Sequence, residues 1–262
     1  MRLDGTTVVL TGASGGIGQA LARELAAAGA GLVLAGRDGS RLEGLVEELP
    51  EGCVRAVCVG DLTGAADRDR LAAAARDHDC AVLINVCGGN RFGLLDDQSD
   101  ADVEALLAVN LAAPIQLTRR LLGHLRARES AMVVNVGSAY GVIGFPGYAI
   151  YCASKFGLRG FSEALGRELA DTSVRVLHVA PRATRTAMNS QAVDAMNEAL
   201  GNAADDPELV ARRIVGAIRA GERRVVIGWP ERFFARLNQT LPGVVDRALG
   251  QQLQTVKRFA AT

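Results

Sequence analysis

Short apolar runs recur along the chain, separated by longer segments whose apolar positions fall every three or four residues. The runs predict strands at 6–10 (TTVVL), 31–35 (GLVLA), 53–59 (CVRAVCV), 80–85 (CAVLIN), 131–136 (AMVVNV), 173–179 (SVRVLHV) and 223–227 (RRVVI). Between them, QALARELAAAG, DGSRLEGLVEEL, AADRDRLAAAARD, DVEALLAVNLAAPIQLTRRLLGHLRAR and YCASKFGLRGFSEALGRELA read as helices. Strands that alternate with helices argue for a parallel sheet with crossover helices, and strands apolar on both faces require cover on both sides. No repeat, low-complexity tract or linker divides the chain. The expected fold is one α/β domain around a doubly wound, mostly parallel sheet of about seven strands.

Composition removes several classes of function. The chain has 262 residues, 49% of them hydrophobic, with 29 basic and 29 acidic residues and a formal net charge of zero. That balance gives no electrostatic footprint for nucleic acid. No apolar stretch approaches the ~20 residues of a membrane span. The start, MRLDGTTVVL, lacks a signal-peptide pattern, so a cytoplasmic protein is expected. Cys53, Cys58, Cys80, Cys87 and Cys152 form no CxxC pair and read as reduced, mostly buried thiols. His78, His124 and His178 lack metal-ligand spacing, and no metal is expected.

Candidate chemistry begins at TGASGGIGQALA, directly after the first strand. Gly12, Gly16 and Gly18 do not make the G-x-G-x-x-G fingerprint, yet they can do the same work. Gly12 permits a tight turn, Gly16 a close approach by a pyrophosphate, and Gly18 close packing of helix on strand. The seat takes in Ser14, Gly15 and Ile17 as well. A purely structural turn is the alternative. After the second strand, Gly36 and Arg37 stand where an acidic residue would accept from a ribose 2′-OH. A guanidinium there suits a 2′-phosphate, with Ser14 as a second donor, unless Arg37 is only a solvated turn residue. Arg41 reads as such a surface residue. In GDLT, Asp61 can accept from an adenine amino group beside Leu62, or serve a helix N-terminus.

Ser138 follows the strand MVVNV at the carboxyl end, where such sheets bind ligands. Tyr151 and Lys155 are four apart, so on a helix they share a face. A neighbouring ammonium is expected to lower the phenol's pKa from about 10 toward the working range. In this order and behind a glycine-rich first turn, the set resembles that of a short-chain dehydrogenase/reductase, over roughly residues 6–227. TGASGGIG resembles the family's cofactor motif, YCASK its catalytic motif, and Asn110 in LAVNLAAP its helix asparagine. The resemblance implies a Rossmann-type fold, Tyr151 as acid–base residue, Lys155 acting on Tyr151 and on the nicotinamide ribose, Ser138 on the substrate oxygen, and Asn110 on a relay water. It also places Asn85, Gly88, Pro181 and Thr186 along the cofactor. Val86 and Arg182 depart from the family's Asn-Asn-Ala-Gly and Pro-Gly segments.

The expected function is therefore an NADP(H)-dependent oxidoreductase that interconverts an alcohol and a ketone or aldehyde. A 3-oxoacyl-thioester reductase of lipid metabolism is the alternative, and a non-catalytic cofactor-binding sensor the remote one. A partly apolar small-molecule substrate is expected against Val142, Phe145, Tyr148, Met188 and Val193, residues that otherwise pack a core or a subunit contact. Residues 1–228 are expected to carry the sheet and the chemistry, with 229–262 as an amphipathic helical extension broken at Pro242-Gly243. The extension reads as packing on its own domain or on a partner subunit. The sharper reading is a helix pair that shields the substrate mouth or rests on a membrane surface. The resemblance implies a homodimer or homotetramer.

Overall fold

A computed structural model describes residues 1–260 of the chain. Seven parallel strands lie in the order β3-β2-β1-β4-β5-β6-β7. They are β1 (Thr7–Thr11), β2 (Gly31–Gly36), β3 (Val54–Val59), β4 (Val82–Asn85), β5 (Ala131–Val136), β6 (Val174–Ala180) and β7 (Arg224–Val226). Each falls within a residue or two of an apolar run in the sequence. The order reverses between β1 and β4, so a crevice opens above their carboxyl ends.

Helices cover both faces, as the two-sided apolar strands require. On one face lie α1 (Gly16–Ala27), α2 (Gly39–Glu48) and α8 (Pro207–Ala220), whose Leu21, Leu25, Leu42 and Ile214 pack on Val8 and Leu10 of β1. On the other lie α3 (Ala65–Asp77), α5 (Ala113–Arg126) and α6 (Ala149–Glu168), whose Leu71, Leu117 and Leu165 pack with Val9 and Val133. Successive strand residues thus feed opposite cores. The edge strand β3 is the exception, with Val57 and Val59 exposed.

The long predicted helix over 102–128 is divided. After α4 (Asp100–Leu107), capped by Ser99 and Asp102, a π turn at Ala108–Ala112 precedes α5. Two helices, α7 (Gln191–Ala199) and α8, are absent from the sequence expectation. Pro207 in the first turn of α8 and Gly221 at φ +66° after it are the punctuation that marks its ends. The tail forms α9 (Trp229–Thr240) and α10 (Pro242–Ala260), broken at Leu241 with Pro242 opening the second helix. Val256 of α10 is fully buried in a third cluster with Phe145, Tyr148, Cys152, Val193 and Met196, so the tail packs on its own chain at the carboxyl end of the sheet.

Candidate active site

One cavity of about 1080 Å³ runs from the glycine turn to the tail helices. Its first half is shaped by backbone. Gly12 has φ +68°, and a Cβ there would sit 2.8 Å from the Cys87 nitrogen. At Gly18 a Cβ would collide with the Gly12 carbonyl oxygen, so no larger residue lets α1 leave the turn at this angle. The α1 N-cap, Gly15, offers no side chain to the helix's first N–H groups. Those donors and the positive end of the helix dipole therefore face the cavity. Ser14, Gly15, Gly16, Ile17, Gly88, Pro181 and Thr186 line the same wall.

Arg37 is exposed on this wall, and among the described residues no hydrogen bond or salt bridge engages its guanidinium. Arg41 borders the cavity as well, but it is exposed, as expected of a surface residue, and pairs with Asp38 at 3.4 Å. Two expected cofactor residues are placed elsewhere. Asn85 is buried and donates from Nδ2 to Asn135 Oδ1 at 2.8 Å and to Thr118 Oγ1 at 3.4 Å. Its side chain ties β4 to β5 and α5 and does not line the cavity, because an interior amide must be satisfied locally. Asp61 accepts from Thr63 N at 2.9 Å, which shapes the turn before α3, whereas its neighbours Gly60 and Leu62 are the lining residues. That turn contact, rather than an N-cap (the N-cap is Gly64), is what holds the carboxyl below its ordinary value.

Where the two halves of the cavity meet, Ser138, Tyr151 and Lys155 converge. Ser138 leaves the end of β5 and caps a short turn, its Oγ accepting from Tyr140 N at 3.1 Å. The Ser138 hydroxyl stands beside the Tyr151 phenol and pulls its pKa down. Lys155 is 4% exposed, one helical turn along α6, with Nζ 5.7 Å from the Tyr151 ring centroid and donating to Val136 O at 3.3 Å. Burial pushes the phenol up to about 12, against the lowering by Ser138, and pushes the ammonium down to about 8. This corrects the expected lowering of the tyrosine by the lysine. Both groups lose water together, and desolvation exceeds an attraction directed at the ring face and a carbonyl.

Asn110 sits in the π turn, fully buried, off the cavity wall. Its Oδ1 accepts from Gly89 N at 2.8 Å, while Nδ2 donates to Gly89 O and Ser154 Oγ, each at 3.1 Å. The side chain clamps the Gly88–Gly89 segment beside Lys155. A Cβ at Gly88 would lie 2.9 Å from Asn110 Oδ1, so the clamp needs glycine there.

The far half is aromatic. Tyr140 stacks on Phe145 at 4.9 Å between centroids and meets Tyr151 edge-on at 6.4 Å, and Tyr148 meets Phe92 at 5.1 Å. Phe145, Tyr148, Met188 and Val193 line the cavity as expected. Val142 does not, because it is buried behind the wall with its carbonyl held by Asn238 of α9. Sequence reasoning missed Tyr140, Asn90, Phe234, Leu249 and Gln252 as lining residues. The apolar spacing of the tail was visible, but not which of its faces turns inward. Arg182, the departure after β6, pairs with Asp205 at 2.6 Å and Glu231 at 3.9 Å. It thereby fastens the segment after β6 to α9, which is a role for the bulk that glycine lacks.

Comparison with known proteins agrees with this geometry. A family model described as short chain dehydrogenase matches residues 6–197. The chain belongs to that family and is an oxidoreductase. It is 37% identical over 204 residues to Nodulation protein G of Rhizobium sp. (strain N33), covering 76% of this chain and 81% of that one. It is 32% identical over 198 residues to the 3-oxoacyl-(acyl-carrier-protein) reductase FabG of Rickettsia bellii (strain RML369-C), covering 76% and 80%. A solved short chain dehydrogenase/reductase from Burkholderia phymatum, in complex with NAD, superposes with a TM-score of 0.82 at 25% identity, over 91% of this chain and 94% of that one.

Proposed function

We propose that the protein is an NADP(H)-dependent reductase of a partly apolar ketone or aldehyde, working reversibly on the corresponding alcohol. The observation that carries the reading is the Ser138–Tyr151 hydroxyl pair beside buried Lys155, where a glycine-lined cleft meets an aromatic pocket. The cleft fits a nicotinamide dinucleotide, since the head of α1 presents uncapped N–H donors to it and the guanidinium of Arg37, unpaired among the described residues, stands on the same wall. Gly12, Ser14, Gly15, Gly16 and Ile17 would hold the diphosphate, Arg37 the 2′-phosphate, Lys155 the nicotinamide ribose, and Pro181 and Thr186 the carboxamide end. When bound, the dinucleotide supplies or accepts the hydride.

The chain's own residues handle the proton and the orientation. Ser138 donates to the substrate oxygen and fixes it against Tyr151. Tyr151, protonated throughout the neutral range, gives its phenolic proton to that oxygen as charge develops there. Lys155, charged below about pH 8, stabilises the phenolate left behind. The aromatic wall excludes water and holds the apolar part of the substrate. Reduction of a 3-oxoacyl thioester is the second reading, supported by the likeness to the Rickettsia reductase. A homodimer or homotetramer through the helices bearing Asn110 and Tyr151 accompanies this reading, and Phe156, 39% exposed on the outer face of α6, suits such a contact.

NADPH oxidation by purified protein over a panel of ketones, aldehydes and 3-oxoacyl thioesters tests the proposal. Turnover of apolar ketones is expected, turnover confined to thioesters selects the second reading, and binding without turnover of any member refutes both.

A further inference from the structure

The outer surface of the two tail helices carries a feature that the reaction does not use. Trp229, Arg232, Phe233 and Arg236 stand at i, i+3, i+4 and i+7 on α9 and so share one face. All four are exposed, Trp229 by 76% and Phe233 by 54%. Val244 and Arg247, also exposed, extend the stripe onto α10. Among the described residues, no hydrogen bond or salt bridge engages the guanidinium of Arg232, Arg236 or Arg247. The two helices hold only two acidic residues, and one of them, Glu231, is turned inward to Arg182. Directly behind the stripe, Phe234, Val245 and Leu249 line the pocket.

We propose that this face seats the protein on an anionic lipid bilayer. Trp229 and Phe233 enter the headgroup level, where amphipathic aromatic rings settle, and the arginines lie against lipid phosphates. A second copy of the chain is the poorer occupant. A two-fold contact would set the patch on itself, arginines against arginines, with Asp246 the one exposed carboxylate to offset them. Seated this way, the protein lays the tail-helix wall of its apolar pocket against the lipid, so that a lipid-dissolved substrate need only pass that wall. That last consequence rests on the function proposed above; the docking does not.

Flotation of the full chain with vesicles of phosphatidylcholine, alone or with about one third phosphatidylserine, tests the docking. The protein is expected to float with the anionic vesicles and less so at high salt. The double variant Arg232→Gln/Arg236→Gln should lower the partition coefficient roughly thirtyfold, at about fivefold for each arginine near a charged surface. Trp229→Ser/Phe233→Ser should also release the protein. Both variants should keep the parent's thermal unfolding, sedimentation and turnover of a water-soluble ketone. A parent that stays at the bottom of the gradient overturns the proposal. So do variants that float like the parent, and so does a change in sedimentation, which would assign the face to a second copy. Flotation without turnover would leave the docking standing and refute the proposed reaction instead.

Discussion

Tyr151, partly buried on the cavity wall, and Lys155, buried, stand one helical turn apart, and loss of water sets how each can act. With the phenol near 12 and the ammonium near 8, the protonated tyrosine is the dominant form at neutral pH. The kcat/KM for reduction should therefore hold steady below about pH 8 and fall above it as Lys155 loses its proton. Tyr151→Phe removes only the transferable proton. Turnover should drop about 10²- to 10⁴-fold while NADPH binding, followed by fluorescence titration, stays near the parent value. A Phe variant with near-normal kcat would overturn the assignment. At the far end of the cleft, Arg37→Asp should reverse a preference for NADPH, since a charge-assisted phosphate contact contributes on the order of 1.5–3 kcal/mol, about ten- to a hundredfold in affinity. Equal kcat/KM for NADPH and NADH in the parent would count against Arg37. Away from the cavity, His178 is 2% exposed with neither ring nitrogen hydrogen-bonded among the described residues, and burial pushes it down to about 4 from its ordinary 6.5. The folded protein holds it neutral while the unfolded chain takes up a proton. Stability should thus be unaffected above pH 6.5, decline between 6.5 and 4, and level off below, by roughly 3 kcal/mol in all. Urea titrations against pH should show His178→Asn losing much of that slope.

The element that most shapes the substrate end is α10. It reaches back from the end of the sheet to place Val256 under the aromatic cluster and Leu249 and Gln252 on the cavity wall. A ketone series of rising chain length should gain about fourfold in kcat/KM for each methylene buried, from ~0.8 kcal/mol each. Leu249→Trp fills the end of the pocket, so the gain should stop several carbons earlier while the shortest ketones react as before. An unchanged profile would show that α10 does not bound the substrate. On the opposite side, the π turn at Ala108–Ala112 interrupts what would be one long helix and directs Asn110 at the Gly89 peptide. Such turns are uncommon because their hydrogen bonding is poor, and they persist where a side chain must be aimed.

At the scale of the whole molecule, the cavity joins parts distant in sequence. The glycine turn follows β1, the Ser138 and Tyr151 hydroxyls come from just after β5 and from α6, and the closing wall is the tail. A ligand that spans these parts binds only the folded form and must raise its stability. At a hundredfold excess over Kd, NADPH should contribute about 2.7 kcal/mol, a rise in Tm of roughly 5–10 °C for a domain of this size. NADH at the same concentration should give a smaller rise. Scanning calorimetry that shows no shift with either would refute the cleft as a dinucleotide seat.

Local spacing determined much by itself. The central apolar runs became strands because a strand covered on both faces must be largely apolar, whereas the edge strands β3 and β7 are covered less fully. Tyr151 and Lys155 were legible as a pair because helical geometry at i, i+4 needs no tertiary information. The turn at Gly12–Gly18 was equally plain, since only glycine tolerates such backbone crowding. Whatever depends on partners far along the chain was decided by the tertiary structure. Asn85 was assigned to the cofactor, but Asn135, fifty residues on, takes its amide. Tyr140 went unnoticed because an aromatic wall exists only once Phe145, Tyr148 and Tyr151 are folded around it. The shift of the Tyr151 phenol runs opposite to expectation because sequence reveals a neighbouring charge and not the loss of water. For the tail, periodicity gave an amphipathic pair of helices, yet burial of Val256 and exposure of Trp229 follow from how α10 crosses the end of the sheet.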